Sequence, residues 1–190
     1  MLAIAGERVN AAELARRGAR LARSGKYAPA AQLLPVGPPP AAELLLVGAL
    51  LWPRTDSDPD VVLALVLDDD IADPALCEVL KVARSMVYGR EPVGLVVVHD
   101  ELRRTGRLTK LVYERLTAVA TSGGLPEALR GYACATVAAS LRRRVESAGN
   151  ALTEAAETMH EDDLAPMAQR AAAAIASCAA RLDKLRGGEG

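Results

Sequence analysis

The chain has 190 residues and a formal net charge of −1, so it carries no global attraction to nucleic acid or to an anionic membrane. Half of it is apolar, yet Trp52, Tyr27, Tyr88, Tyr113 and Tyr132 are its only aromatic residues. Leu, Val and Ala must therefore fill the core, a composition that favours helices over sheets. The longest apolar runs, Ala41–Trp52 and Val61–Leu67, are too short to span a bilayer, and no membrane partner is expected. Cys77, Cys134 and Cys178 lack metal-ligand or redox spacing and read as small buried hydrophobes. Their odd number and the absence of a basic-then-apolar leader point to the cytoplasm.

The first 34 residues are locally basic. Arg8, Arg16, Arg17, Arg20, Arg23 and Lys26 face only Glu7 and Glu13, an excess of four that leaves −5 for the remainder. Asn10–Ser24 reads as a basic helix with a narrow apolar stripe, and Tyr27–Leu34 as a second short helix. Residues 1–34 thus form a basic N-terminal helical arm. Five prolines or glycines in residues 35–40 make a linker, since consecutive prolines cannot continue a helix.

A helical bundle is expected over 41–125. Ala41–Trp52 is apolar all round apart from Glu43 and reads as a buried helix stopped by Pro53. Asp58-Pro59 and Asp73-Pro74 are N-cap and first-turn proline pairs, opening helices to Leu67 and Tyr88, the second stopped by a left-handed Gly89. Leu95–Val98 fits a strand or a short helix, and the helix is favoured. Thr109–Ala120 is a further helix, broken by Gly123-Gly124.

Pro126–Arg186 reads as two long helices folded back on each other, followed by a flexible tail, 187–190. Leu141, Val145, Ala148, Leu152, Ala155 and Met159 recur at spacings of four and three, as do Leu164, Ala168, Ala171, Ile175, Cys178, Leu182 and Leu185, so each arm presents one seam. The connection His160–Asp163 is short enough to force an antiparallel return, with Asp163 as the N-cap and Pro166 in the first turn. Small seam residues bury little area, so two arms alone are marginal, and a further apolar body or a second copy of the hairpin should complete the burial.

No catalytic centre emerges. No phosphate-binding Gly-x-x-x-x-Gly-Lys loop, nucleophile elbow, zinc helix or paired-carboxylate arrangement is present, and no cofactor is implied. Asp68-Asp69-Asp70 lacks the alternating ligands and glycine of a calcium loop and reads as a solvated loop. His99 and Asp100, neighbours on a helix, point about a hundred degrees apart and make no acid/base pair. His160 reads as a loop residue. Arg142-Arg143-Arg144 fans around its helix and reads as a solvated surface with Glu partners rather than one flat phosphate-binding face; Arg142 and Arg143 remain candidates, with Arg16, Arg17, Arg20 and Arg23, for contact with a partner or with DNA.

Taken together the segments resemble the N-terminal domain of the DnaB-type bacterial replicative helicase. The resemblance rests on Pro39–Leu51, on Leu67–Asp70, on Tyr88–Val93, on Glu101–Leu108, and on Tyr132 with Leu141–Arg144. Departures are Ile71-Ala72, where the family has an aromatic pair, and Gly94–Val97, where it has an Asp-x-x-Thr that would cap the next helix. The chain ends where the family's linker helix and ATPase domain would begin. The resemblance implies an all-α collar module that pairs through its hairpin, assembles into a ring and docks the C-terminal domain of primase. The expectation is therefore a non-enzymatic module, a homodimer or higher ring, binding helicase or primase. A DNA-binding accessory protein using the basic arm, or a structural dimer with unrelated partners, are the alternatives.

Overall fold

A computed structural model describes residues 41–52 and 59–187. Among them are seven α-helices and no strand: α1 (Ala42–Leu51), α2 (Pro59–Leu63), α3 (Pro74–Tyr88), α4 (Leu95–Arg104), α5 (Lys110–Ala120), α6 (Leu129–Thr158) and α7 (Glu161–Arg186). The expected arm at 1–34, the linker, Asp58 and residues 188–190 lie outside the described residues. Helices α1–α5 make a head, and α6 and α7 make the antiparallel hairpin.

The head is built around α1. Leu46, Val47 and Ala49 are fully buried, and the helix packs on α6 on one side and on α3 and α5 on the others, which is why its sequence is apolar all round. Two glycines let it approach the α5–α6 connection. A Cβ on Gly124 would lie 2.5 Å from the Leu45 carbonyl oxygen and 2.7 Å from the Ala49 nitrogen, so only glycine fits without moving backbone. On Gly48 a Cβ would meet chiefly the Ser122 hydroxyl, which can rotate away. Gly124→Ala is therefore expected to destabilise by roughly 1–3 kcal/mol in chemical denaturation, and Gly48→Ala by clearly less.

Helix α3 starts as its sequence dictates. The Asp73 carboxylate accepts hydrogen bonds from the backbone N–H of Ala75 at 2.9 Å and of Leu76 at 3.2 Å, and Pro74 has no N–H to lose. Leu76, Val79, Leu80 and Ala83 then face the core. Its end differs from expectation. Gly89 has right-handed φ of −74°, and Arg90 takes the positive φ of 55°. The N–H of Glu91 donates to Met86 O at 2.9 Å and that of Arg90 to Val87 O at 3.1 Å, the paired bonds of a Schellman stop, which place the left-handed residue at 90. A Cβ in that region is strained, so Arg90→Gly is expected to raise stability by roughly 1 kcal/mol, read as a higher denaturation midpoint.

Helix α4 settles the ambiguity at Leu95–Val98. Val98 and Leu102, one turn apart, are both fully buried while Val96 is 70% exposed, a pattern of helical period and not the alternation of a strand. It begins at Gly94 without a side-chain cap, in keeping with the missing threonine. In α5 the Thr109 hydroxyl accepts from the N–H of Val112 at 3.3 Å, and Val112, Leu116 and Val119 face inward. Helix α2 stops at Leu63 rather than at Leu67, and a 3₁₀ turn at Asp68–Asp70 follows.

The hairpin arms run for 30 and 26 residues. The second starts earlier than expected. His160, not Asp163, is the N-cap, its Nδ1 accepting from the N–H of Asp162 at 3.3 Å. Glu161, Asp162 and Asp163 thereby fall in the first turn, where negative charge complements the helix dipole. Pro166 is then the sixth helical residue, one turn deeper than expected, and its missing N–H leaves the Asp162 carbonyl without its helical donor. Gly187, at φ 86°, closes α7.

Candidate interaction site: the hairpin and its clamp on the head

The two halves of the hairpin differ. Near the head, Leu129, Ala133 and Val137 of α6 and Cys178, Leu182 and Leu185 of α7 are buried in the common core, with Leu141 packed at its edge. Farther out, no residue from 142 to 177 belongs to that core, and Ala155 is the one buried side chain of the stretch. Of the expected seam, Leu152, Leu164 and Ile175 are half-buried, whereas Val145 is 50% and Met159 40% exposed. The seam closes within the chain at its base and stays partly open toward the tip.

Where the hairpin leaves the head, its arginines meet the Asp68–Asp70 turn. Asp70 is fully buried. Its carboxylate accepts from the Ser140 hydroxyl at 2.7 Å, from the N–H of Leu67 at 2.8 Å and from both terminal nitrogens of Arg181. Arg181 also donates to the Leu65 carbonyl at 2.8 Å. Arg144 reaches the Asp69 carboxylate at 2.7 Å and donates through Nε to the Ser140 oxygen at 3.3 Å. Arg143 bridges the Asp70 carbonyl and Glu43, 3.1 Å from Oε1. The other oxygen of Glu43 caps the turn by accepting from the N–H of Ala72 at 3.0 Å. Asp68 is bound by Arg84 of α3. Asp68 thus holds Arg84, Asp69 holds Arg144, and Asp70 holds Arg181 through its carboxylate, with Arg144 3.5 Å away, and Arg143 through its carbonyl.

The electrostatics follow from this packing. Burial alone would raise the Asp70 carboxyl, but hydrogen bonds from Arg181, Leu67 and Ser140, with the Arg181 charge, outweigh it and hold the group below the ordinary aspartate range. The hydrogen bond to Asp70 in turn holds Arg181 above its ordinary value against the effect of burial. At Asp73 the balance is the same: burial raises the carboxyl, while the Leu76 N–H, Arg115 and the Ala75 N–H bring it below the ordinary range.

Two sequence readings are corrected here. The aspartate run is solvated only in part, since Asp69 stays exposed while Asp70 is sealed beneath the hairpin, and the arginine run is not paired with neighbouring Glu on its own helix. Arg143 and Arg144 turn inward to the head, while Arg142 is exposed. The signal was present in each strand of text: Glu43 is the lone charge of an apolar run, and Arg181 sits beside seam positions Cys178 and Leu182. Charges embedded in apolar stretches are the ones that find buried partners. Arg16, Arg17, Arg20 and Arg23 lie outside the described residues.

Little else on the described surface gathers chemistry. No cluster of three or more His, Cys, Asp or Glu among the described residues could hold a metal ion, and no described helix is long and apolar enough to cross a membrane. His99 Nδ1 does come within 3.3 Å of Asp100, a contact between adjacent exposed residues. The same ring packs edge-on to Tyr113, centroids 6.3 Å apart, beside a shallow groove of about 310 Å³ lined by Leu95, Val96 and Leu116.

Head, clamp and projecting hairpin define an all-α module. No protein-family model matches the chain, and no curated protein matches it. Among solved structures, it is similar to the crystal structure of the N-terminal domain of DnaB helicase from Mycobacterium tuberculosis, with a TM-score of 0.62, 26% identity, and coverage of 73% of this chain and 99% of that one. The chain has the all-α fold of the DnaB helicase N-terminal domain, head and hairpin together.

Proposed function

We propose that the protein is a non-enzymatic interaction module of the DnaB N-terminal type, which self-associates through the hairpin and binds a replicative helicase or primase. The observation that supports this reading most directly is the open half of the hairpin. Residues 142–177 contribute nothing to the core, yet carry Val145, Leu152, Met159, Leu164 and Ile175 along two facing seams. A helix pair lined by small residues and lacking its own core gains stability from a partner that covers it. The similarity to the DnaB domain supports a replication-related role of this kind.

Light scattering on a sizing column tests it, with the protein run alone and then with the replicative helicase or primase of its host. A dimer or ring alone, co-eluting with one of the two when mixed, is the expected result. A monomer that co-elutes with neither sinks the proposal.

The charge asymmetry favours one second reading, DNA binding by the basic arm around Arg16, Arg17, Arg20 and Arg23. Binding of that kind weakens steeply with salt and is lost on deleting residues 1–34; salt-independent binding, or binding that survives the deletion, excludes it.

A further inference from the structure

The hairpin is held at one end only, and the aspartate clamp lies at the point where it departs. Ser140, Arg143 and Arg144 are the last residues of α6, among those described, with a polar contact to the head, and Arg181 is the corresponding residue of α7. Beyond them, α6 runs on to Thr158, an overhang of about 20 Å at 1.5 Å per residue. A rotation of about 10° at the clamp would shift the tip by about 3–4 Å over that length.

The apolar contacts at the base restrict this angle less sharply than directional bonds do. Hydrophobic burial is non-directional, and on α6 the base contacts include the small residues Ala133 and Ala138, over which a facing helix can pivot. Hydrogen bonds are directional. The Asp70 carboxylate takes four donors from three directions, two of them from the planar fork of Arg181, and such a fork admits one orientation. A buried ion pair contributes little net stability compared with apolar residues of similar volume, and its attested use is to select one geometry.

We propose that the Asp70–Arg181–Ser140 clamp is the pivot lock of the hairpin: it sets the angle at which the arms leave the head, and thereby the geometry in which the open half is offered for self-association. The second part rests on the self-association reading above; the first does not. The lock acts on shape, so its removal by apolar residues leaves a folded protein with a loose hairpin.

The test is pulsed electron–electron distance measurement on the full chain, with spin labels at Thr105→Cys in the head and Asp162→Cys at the tip, both exposed sites, and Cys134→Ala to remove the accessible thiol. The parent protein, diluted with unlabelled chain so that only distances within one chain are read, is expected to show one narrow distance. Asp70→Leu with Ser140→Ala and Arg181→Met is expected to unfold cooperatively, to broaden that distance about twofold, and to weaken self-association about tenfold. A folded triple variant with the parent distance width overturns the proposal. Should the triple variant not fold, Arg181→Lys decides, since it keeps the charge and loses the fork; a parent-like width there assigns the clamp to folding alone and overturns the lock. If the parent protein is monomeric, the self-association reading falls, while the distance width still judges the lock.

Discussion

Asp70→Ala is expected to lower the stability of the protein by about 3–5 kcal/mol, on the order of 10 °C in melting temperature for a unit of this size. The substitution removes one partner of a buried pair and leaves the other. Arg181, its side chain 13% exposed, would keep its charge under the hairpin with only the Leu65 carbonyl to receive it, and Ser140 would lose its acceptor. The large effect is the penalty of that orphaned charge. Chemical denaturation measures it, and a loss under 1 kcal/mol would show that water reaches the site.

The same carboxylate makes stability depend on pH in a defined direction. Its pKa is depressed in the folded protein, so its contribution is fully present above the unfolded aspartate value of about 3.9 and is lost as pH falls through the lower folded value. Asp73 acts in the same window for the same reason. Asp70→Asn keeps the shape and removes the titration, so its denaturation midpoint should fall less than that of the parent between pH 5 and pH 3 (about the window in which aspartates titrate). Parallel curves for the two proteins would show that Asp70 is not a source of the acid sensitivity.

Val145→Glu combined with Met159→Glu is expected to abolish self-association while leaving the fold intact. Val145 lies on α6 and Met159 is the extended residue just past its end; they are 50% and 40% exposed, so a carboxylate at either is solvated in the monomer and costs little there. Pressed against a second hairpin it would be desolvated without a partner, at about 2 kcal/mol or more per site, enough together to weaken a dimer by roughly three orders of magnitude. Sedimentation equilibrium reads the outcome. A double variant that dimerises as the parent does would move the interface away from the open seam.

Much of the architecture is legible in the sequence, because it is written in local rules. The Asp73-Pro74 pair opens α3, the four-and-three spacing foretells the two arms, and the short connection at His160 forces them antiparallel. Each of these depends on neighbours within a turn or two. Local rules also marked the errors: whether Gly89 or Arg90 takes the left-handed turn, and whether His160 or Asp163 caps α7, are choices between near-equal alternatives within one helical turn.

The clamp belongs to a different order of information. Asp70 and Arg181 are 111 positions apart, and Arg143 and Glu43 are 100 apart; the apolar surroundings of Glu43 and Arg181 hint at burial, but nothing in the short range names the partner of either. Their fate depends on the hairpin folding back over the 3₁₀ turn, which removes water from the carboxylate and makes each arginine the cheapest means of satisfying it. The division between a closed base and an open far half of the hairpin has the same origin. The seam repeats run evenly from Leu141 to Leu185, and the pattern alone makes all its positions equal. The head covers only the base, because it reaches no farther, and so the residues that build the core and those left outside it are separated by the size of the head and not by any change in the repeat.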